Sequence, residues 1–292
     1  MSTVHHPLLD YFDTMDSSRC TVIWRGYKVF LFKQPWGTLA IAEQGAQILH
    51  YQPRGSQPVL WLSAQSAGPG KAIRGGIPLC WPWFGSHPER ADQPSHGLAR
   101  TAKWSLTGES HQTEQSEWVL DAPSLMENIL LQLRISASPQ RLQVHLRTEN
   151  TGQGIVTVTQ ALHSYLQLSD TRNIDIQGPE NAEFYDKLEQ RYARRQAHSW
   201  ALAMDRIYQH QGDTQLSDKG LDRRLRIAKE SSKSTVIWNP GPNTSLTDIE
   251  PSELSKFICI EAANTEEYDS VTLHAGENFS IGTTIECTPN KK

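Results

Sequence analysis

The sequence predicts an all-β protein, a large antiparallel β-sandwich with a few short helices. Three observations carry that prediction. Most of the chain reads as short segments in which apolar and polar residues alternate, with no sustained helical periodicity. Nineteen glycines and 16 prolines, set among Asn, Asp and Ser clusters, supply the many turns such a sandwich needs. No Ser/Gly/Pro-rich linker, internal repeat or low-complexity run divides the 292 residues, so one domain spanning 1–292 is expected.

Taken in order, LLDYFDTM (8–15) is expected to be helical. TVIW (21–24), YKVFLF (27–32), TLAIAE (38–43), AQILHYQP (46–53) and VLWLS (59–63) then read as strands. NILLQLRIS (128–136) and RLQVHLR (141–147) follow, and in the second Leu142, Val144 and Leu146 alternate with Gln143, His145 and Arg147 as in a half-buried strand. GIVTVTQALHSYLQL (154–168), NIDIQG (173–178), RRLRIAK (223–229), STVIWNP (234–240), KFICIEAAN (256–264), SVTLHAG (270–276) and FSIGTTIEC (279–287) complete the set. So many strands with so little helix between them exclude a doubly wound α/β fold. KLEQRYARRQAHSW (187–200) carries a basic cluster and no convincing apolar stripe, and it reads as loop or strand.

With 37% hydrophobic and 21% charged residues, the chain can bury a core without metals or cross-links. A net charge of -4 gives no electrostatic reason to attract nucleic acid or an anionic membrane. Cys20, Cys80, Cys259 and Cys287 form no CxxC pair, which argues against a zinc site and fits a reducing compartment. The N-terminus lacks a basic start followed by an apolar stretch, and no run approaches the roughly 18 apolar residues of a membrane span. The cytoplasm is the expected location. No P-loop, GxGxxG or GxSxG pattern is present, which removes nucleotide, dinucleotide and serine-hydrolase readings.

The densest feature is Arg74 to Arg100, RGGIPLCWPWFGSHPERADQPSHGLAR. Gly75 and Gly76 permit positive φ or close backbone approach, and Pro78 and Pro82 deny ladder donors, so an ordered loop packed by Trp81, Trp83 and Phe84 is expected. One reading is an Ω-loop that only fills core space. The other is a sugar site, in which aromatic faces stack on pyranose rings and arginine forks hold phosphate or hydroxyl oxygens.

At RGGIPLCWPWFG the sequence resembles the hexose-6-phosphate mutarotases, or glucose-6-phosphate 1-epimerases, of the aldose 1-epimerase superfamily. HGLAR (96–100), QALHSYL (160–166), MDRIY (204–208), VIWNP (236–240) and CIEAAN (259–264) support it in the family's order, over roughly residues 20 to 285. The resemblance implies a galactose mutarotase-like supersandwich with its site on the concave face. It implies His163 as the acid that protonates the ring oxygen, and Glu261 as the base that takes the anomeric hydroxyl proton. His96 and Asp205 are implied to bind sugar hydroxyls, and Arg74 and Arg100 to hold the phosphate of a hexose 6-phosphate. No basic residue stands between WNP and Lys256, where the family often has one, although Asp248 keeps the acidic position.

Each residue also has a plainer reading. His163 suits a structural histidine among Leu162, Tyr165 and Leu166, His96 a turn histidine capping Gly97, and Asp205 a partner of Arg206. Phe257, Cys259 and Glu261 share one strand face and Ile258, Ile260 and Ala262 the other, so alternation alone does not place the glutamate. Neither a cofactor nor a catalytic metal is expected, because no remaining histidine has interpretable spacing. A monomer is expected. The competing functions are an aldose 1-epimerase acting on unphosphorylated sugars, a non-catalytic carbohydrate-binding or sugar-sensing protein, and a glycoside hydrolase pairing Glu261 with Asp205, which would leave His163 without a role.

Overall fold

A computed structural model describes residues 6–65, 67–194 and 199–289. His5, His198 and the 195–198 part of the basic stretch lie outside the described residues. A short helix, α1 (Leu9–Asp13), falls where LLDYFDTM placed it. Strands β1 (Arg19–Trp24), β2 (Tyr27–Gln34), β3 (Gly37–Ala42) and β4 (Ile48–Pro53) form an antiparallel meander. This sheet is apolar on both faces. Phe30, Phe32, Leu39 and Ile41 join the main core, while Val29, Leu31, Ala40 and Ala42 pack with Leu8 and Phe12. That double burial is why YKVFLF reads as a continuous apolar run.

The main core lies between two eight-stranded sheets. After β5 (Leu79–Cys80), β6 (Ser105–His111), β7 (Ser116–Asp121), β8 (Ile129–Ala137) and β9 (Arg141–Asn150) run as a meander. The chain continues through β10 (Val156–Val158), β11 (Gln160–Leu162), β12 (Tyr165–Gln167), β13 (Ile174–Gln177), β14 (Glu183–Asp186), β15 (Arg191–Arg194) and β16 (Met204–Gln209). It ends with β17 (Thr214–Asp218), β18 (Arg223–Glu230), β19 (Ser234–Asn239), β20 (Phe257–Asn264), β21 (Val271–Leu273) and β22 (Asn278–Pro289). The back sheet has the order β13-β17-β18-β22-β9-β8-β7-β6. The front sheet has the order β15-β14-β16-β19-β20-β11-β5, with β12 also paired to β20.

Three differences from the sequence reading have physical causes. VLWLS is not a continuous strand: Leu60 bridges Leu166 of β12 and Leu62 bridges Gly75, so its backbone bonds are divided between two partners and neither ladder runs on. GIVTVTQALHSYLQL breaks into β10, β11 and β12, since Thr159 and His163 donate their N–H groups to Pro82 and Pro78 of the 74–100 loop. Strands β6, β7, β14 and β17 are polar or short, and β6 is a mostly exposed edge, so they give weak apolar alternation. The basic stretch yields β15, a four-residue edge strand.

Strand β20 is buried along its whole length. Ile258, Ile260 and Ala262 point into the main core with Leu162 and Ile237, each buried Leu or Ile contributing about 1.5–3 kcal/mol. The opposite face carries Phe257, Cys259 and Ala263 under two smaller apolar clusters. Both faces of the strand are therefore fixed, and so is the direction in which each side chain leaves it.

Candidate active site

On that outer face the register sets His163 beside Glu261. Leu162 pairs with Ala262 and Tyr165 with Cys259, which puts His163 across from Glu261 in the short break between β11 and β12. The imidazole Nδ1 lies 3.2 Å from a Glu261 carboxylate oxygen. Both side chains are almost wholly buried, and His163 Nδ1 and Glu261 Oε2 have no aligned hydrogen-bond partner in the protein. Orphaned polar atoms of this kind are costly in a core.

An aromatic stack holds the histidine. Its ring lies parallel to Tyr165, with centroids 4.7 Å apart and planes 7° apart, and Tyr165 stacks in turn on Trp61. Trp238 meets both His163 and Tyr165 edge-on. Burial and the nearby charges of His96, Arg74 and Arg100 hold the His163 pKa well below its usual value. Burial and the Asp205 carboxylate push Glu261 well above the usual carboxylate range, against the opposing pull of Lys187. Both shifts disfavour the charged form of their group, imidazolium for His163 and carboxylate for Glu261. Moving one proton across the gap would convert a neutral pair to imidazolium and carboxylate.

The 74–100 loop brings the other predicted residues to the same place. Gly76 sits at φ +64° with its backbone against β4, where a Cβ would fall 2.1 Å from the Ile48 carbonyl oxygen. This close approach lets Gly76 accept the Tyr165 N–H. Trp81 is buried and donates its indole N–H to Thr148 of the back sheet, pinning the loop from beneath. Trp83 and Phe84 are only half-buried, and Phe84 meets the His96 ring edge-on. His96 has φ +62°, and its Nδ1 accepts the Gly85 N–H, so the neutral ring carries its proton on Nε2. Burial and neighbouring cations depress its pKa to about 3, which keeps it neutral.

The two arginines differ. Arg74 donates from Nε to Asp248 at 2.9 Å and from Nη1 to the Tyr165 hydroxyl at 3.0 Å. Arg100 donates from Nη2 to the Ser95 carbonyl oxygen and forms no ion pair among the described residues. Its charge nonetheless acts on His96, His163 and Cys80, so it lies near the histidine side of the pair. Asp205, on β16, is not paired with its neighbour Arg206, which turns to Asp186. It faces Lys187 instead, at 3.6 Å, and burial raises its pKa. Arg90 and Lys103 are tied to Asp92 and Glu43 at the surface.

Sequence reasoning missed Lys187. It follows β14 in a turn, donates its backbone N–H to Asp205, and holds its ammonium 5.3 Å from the Phe84 ring centre. A lysine in a basic stretch gives no local sign of such a position. It also missed that Tyr165 stacks on His163, for which the alternation of β12 gives no signal. A hollow of about 730 Å³ elsewhere holds Lys229, whose pKa burial lowers to about 7, but that ammonium is spent on His210, Ser232 and Ser234.

Known proteins are similar to this chain in sequence and in fold. The chain is 29% identical over 255 aligned residues to the Escherichia coli K12 protein named "Putative glucose-6-phosphate 1-epimerase", a match covering 80% of this chain and 82% of that one. A protein of the same name from Haemophilus influenzae is 26% identical over 250 residues, covering 84% of this chain and 87% of that one. The crystal structure of "a putative mutarotase (YeaD)" from Salmonella typhimurium superposes with a TM-score of 0.86 over 98% of this chain and all of that one, at 24% identity. A galactose mutarotase-like protein from Clostridium acetobutylicum gives 0.71 at 13% identity, over 93% and 98% of the two chains. Fold, relatives and the aldose 1-epimerase family pattern that matches residues 28–286 converge, and the chain belongs to the aldose 1-epimerase family.

Proposed function

We propose that this epimerase is a hexose-6-phosphate mutarotase that interconverts the α and β anomers of glucose 6-phosphate or a close relative. The carrying observation is the facing of His163 and Glu261 across the β11–β12 break, with Arg100, which forms no ion pair among the described residues, close enough for its charge to act on His163. Ring opening breaks the C1–O5 bond while O1 loses its proton and O5 gains one, and one acid with one base suffices. Glu261 takes the proton from the anomeric hydroxyl and His163 supplies one to the ring oxygen. Rotation about C1–C2 and the reverse transfers close the other anomer.

Charging the pair is the task of the substrate. A phosphate dianion beside Arg100 and Arg74 cancels two of the charges that keep the His163 imidazole neutral. Asp205 can accept from sugar hydroxyls and the Nε2–H of His96 can donate to them, with Trp238 beside His163. Two-dimensional exchange NMR on glucose 6-phosphate anomers tests the reading. His163→Asn and Glu261→Gln should each slow interconversion by about 10²–10⁴-fold. A wild-type rate no higher than the spontaneous one would sink it.

An aldose 1-epimerase acting on free sugars is the second reading. It is favoured by one observation, that Asp248 and Tyr165 already occupy Nε and Nη1 of Arg74. Rates on glucose and glucose 6-phosphate, compared in Arg100→Ala, separate the two.

A further inference from the structure

We propose that Cys259, His163 and Glu261 together form a binding site for a thiophilic divalent cation such as Zn²⁺, and that its occupation blocks the acid–base pair. The register builds it. Cys259 and Glu261 stand two residues apart on one face of β20, and His163 faces Glu261 from the break between β11 and β12. One ligand atom from each, an imidazole nitrogen, the thiol sulfur and a carboxylate oxygen, lies within 4.8 Å of the other two. Zinc bonds of about 2.0–2.3 Å require tetrahedral ligand atoms roughly 3.3–3.8 Å apart, so the three need to draw in by only about 1 Å. His163 Nδ1 and Glu261 Oε2 are buried and lack protein partners, so the site offers ligand atoms that nothing else satisfies.

The charge balance permits a cation despite the arginines. Arg74 is paired with Asp248 and Lys187 with Asp205, leaving Arg100 as the nearby cation without an ion pair among the described residues. Thiolate and carboxylate ligands together carry two negative charges, so a divalent ion bound by them and a neutral imidazole forms a set with no net charge. Three protein ligands leave a fourth position for water. The ion takes the imidazole and carboxylate that the mutarotase reading assigns to catalysis, and only this inhibitory consequence rests on that reading.

The test uses the full-length chain carrying Cys20→Ser, which removes the half-buried thiol. Titration with Co²⁺ should give one near-ultraviolet thiolate-to-metal band, absent in Cys259→Ser and in Cys259→Ala and retained in Cys80→Ala. Zinc affinity, measured by competition, should fall at least about 100-fold without the sulfur. It should rise with pH, because thiolate and carboxylate must be deprotonated to bind. Zinc should compete with glucose 6-phosphate, and Cys259→Ala, shown folded by its thermal melt, should turn over without inhibition. A cobalt band that survives in both Cys259 variants, or no band in the parent, overturns the site. A protein with no mutarotase activity fails the functional reading, and the cobalt band still decides the site.

Discussion

Single side chains here are tuned by what lies across the sheet from them. Arg74 is held by Asp248 and Tyr165 and Arg100 by a lone carbonyl, so the two arginines should not contribute equally to an anion. Arg100→Ala should raise KM for glucose 6-phosphate by about 10-fold to 150-fold, the worth of a charged hydrogen bond of about 1.5–3 kcal/mol, and leave glucose nearly unaffected. Equal loss on both sugars would remove the phosphate from the proposal. Lys187 is the cation that favours ionised Glu261 and Asp205. Lys187→Met should therefore move the acid limb of the kcat/KM profile to higher pH, and Lys187→Arg should restore it. A drop independent of pH would assign Lys187 a packing role only.

At the scale of elements, the 74–100 loop and the broken β11–β12 segment depend on each other. Gly76 and Pro78 carbonyls take the Tyr165 and His163 N–H groups that a continuous strand would have spent on a ladder. A side chain at Gly76 meets backbone at 2.1 Å, whereas at Gly85, with φ +80°, an added Cβ would have nothing within 4 Å. Gly85→Ala should cost about 1–2 kcal/mol for the left-handed conformation alone. Gly76→Ala should cost clearly more and lower mutarotation as well, because the loop and β12 must shift. Denaturant midpoints compare the two, and equal losses would show that the close approach is not binding.

For the molecule as a whole, histidines whose pKa is lowered by full or partial burial should weaken the fold as pH falls. His50, His96, His163 and His210 all have pKa values lowered chiefly by burial, to about 3 for His96 and about 4 for His210. The unfolded chain binds protons at these positions below about pH 6.5, while the folded chain does not until far lower. Stability is therefore complete above about pH 6.5 and lost as pH falls, by up to about 1.4 kcal/mol per pH unit for each histidine. Glu261 has the opposite sign, since its raised pKa contributes stability that is lost as pH rises above about 4.5. Denaturation at pH 7 and pH 5 should show the net histidine loss, with His210→Gln, outside the site, flattening the slope. An unchanged slope would mean that His210 charges freely in the folded state.

The sequence by itself determined the sandwich, most of its strands and the family, because alternation, turn residues and the RGGIPLCWPWFG motif are local properties of the chain. It also nominated His163, Glu261, His96, Asp205, Arg74 and Arg100, through motifs that lie far apart in the chain. Only the tertiary structure decided which of these carry free charge. Arg74 meets Asp248 across 174 residues, Asp205 prefers Lys187 to the adjacent Arg206, and Cys259 lies beside the pair through strand register. Ionisation depends on burial and on neighbours brought together by folding, and neither is written in the spacing of residues along a strand.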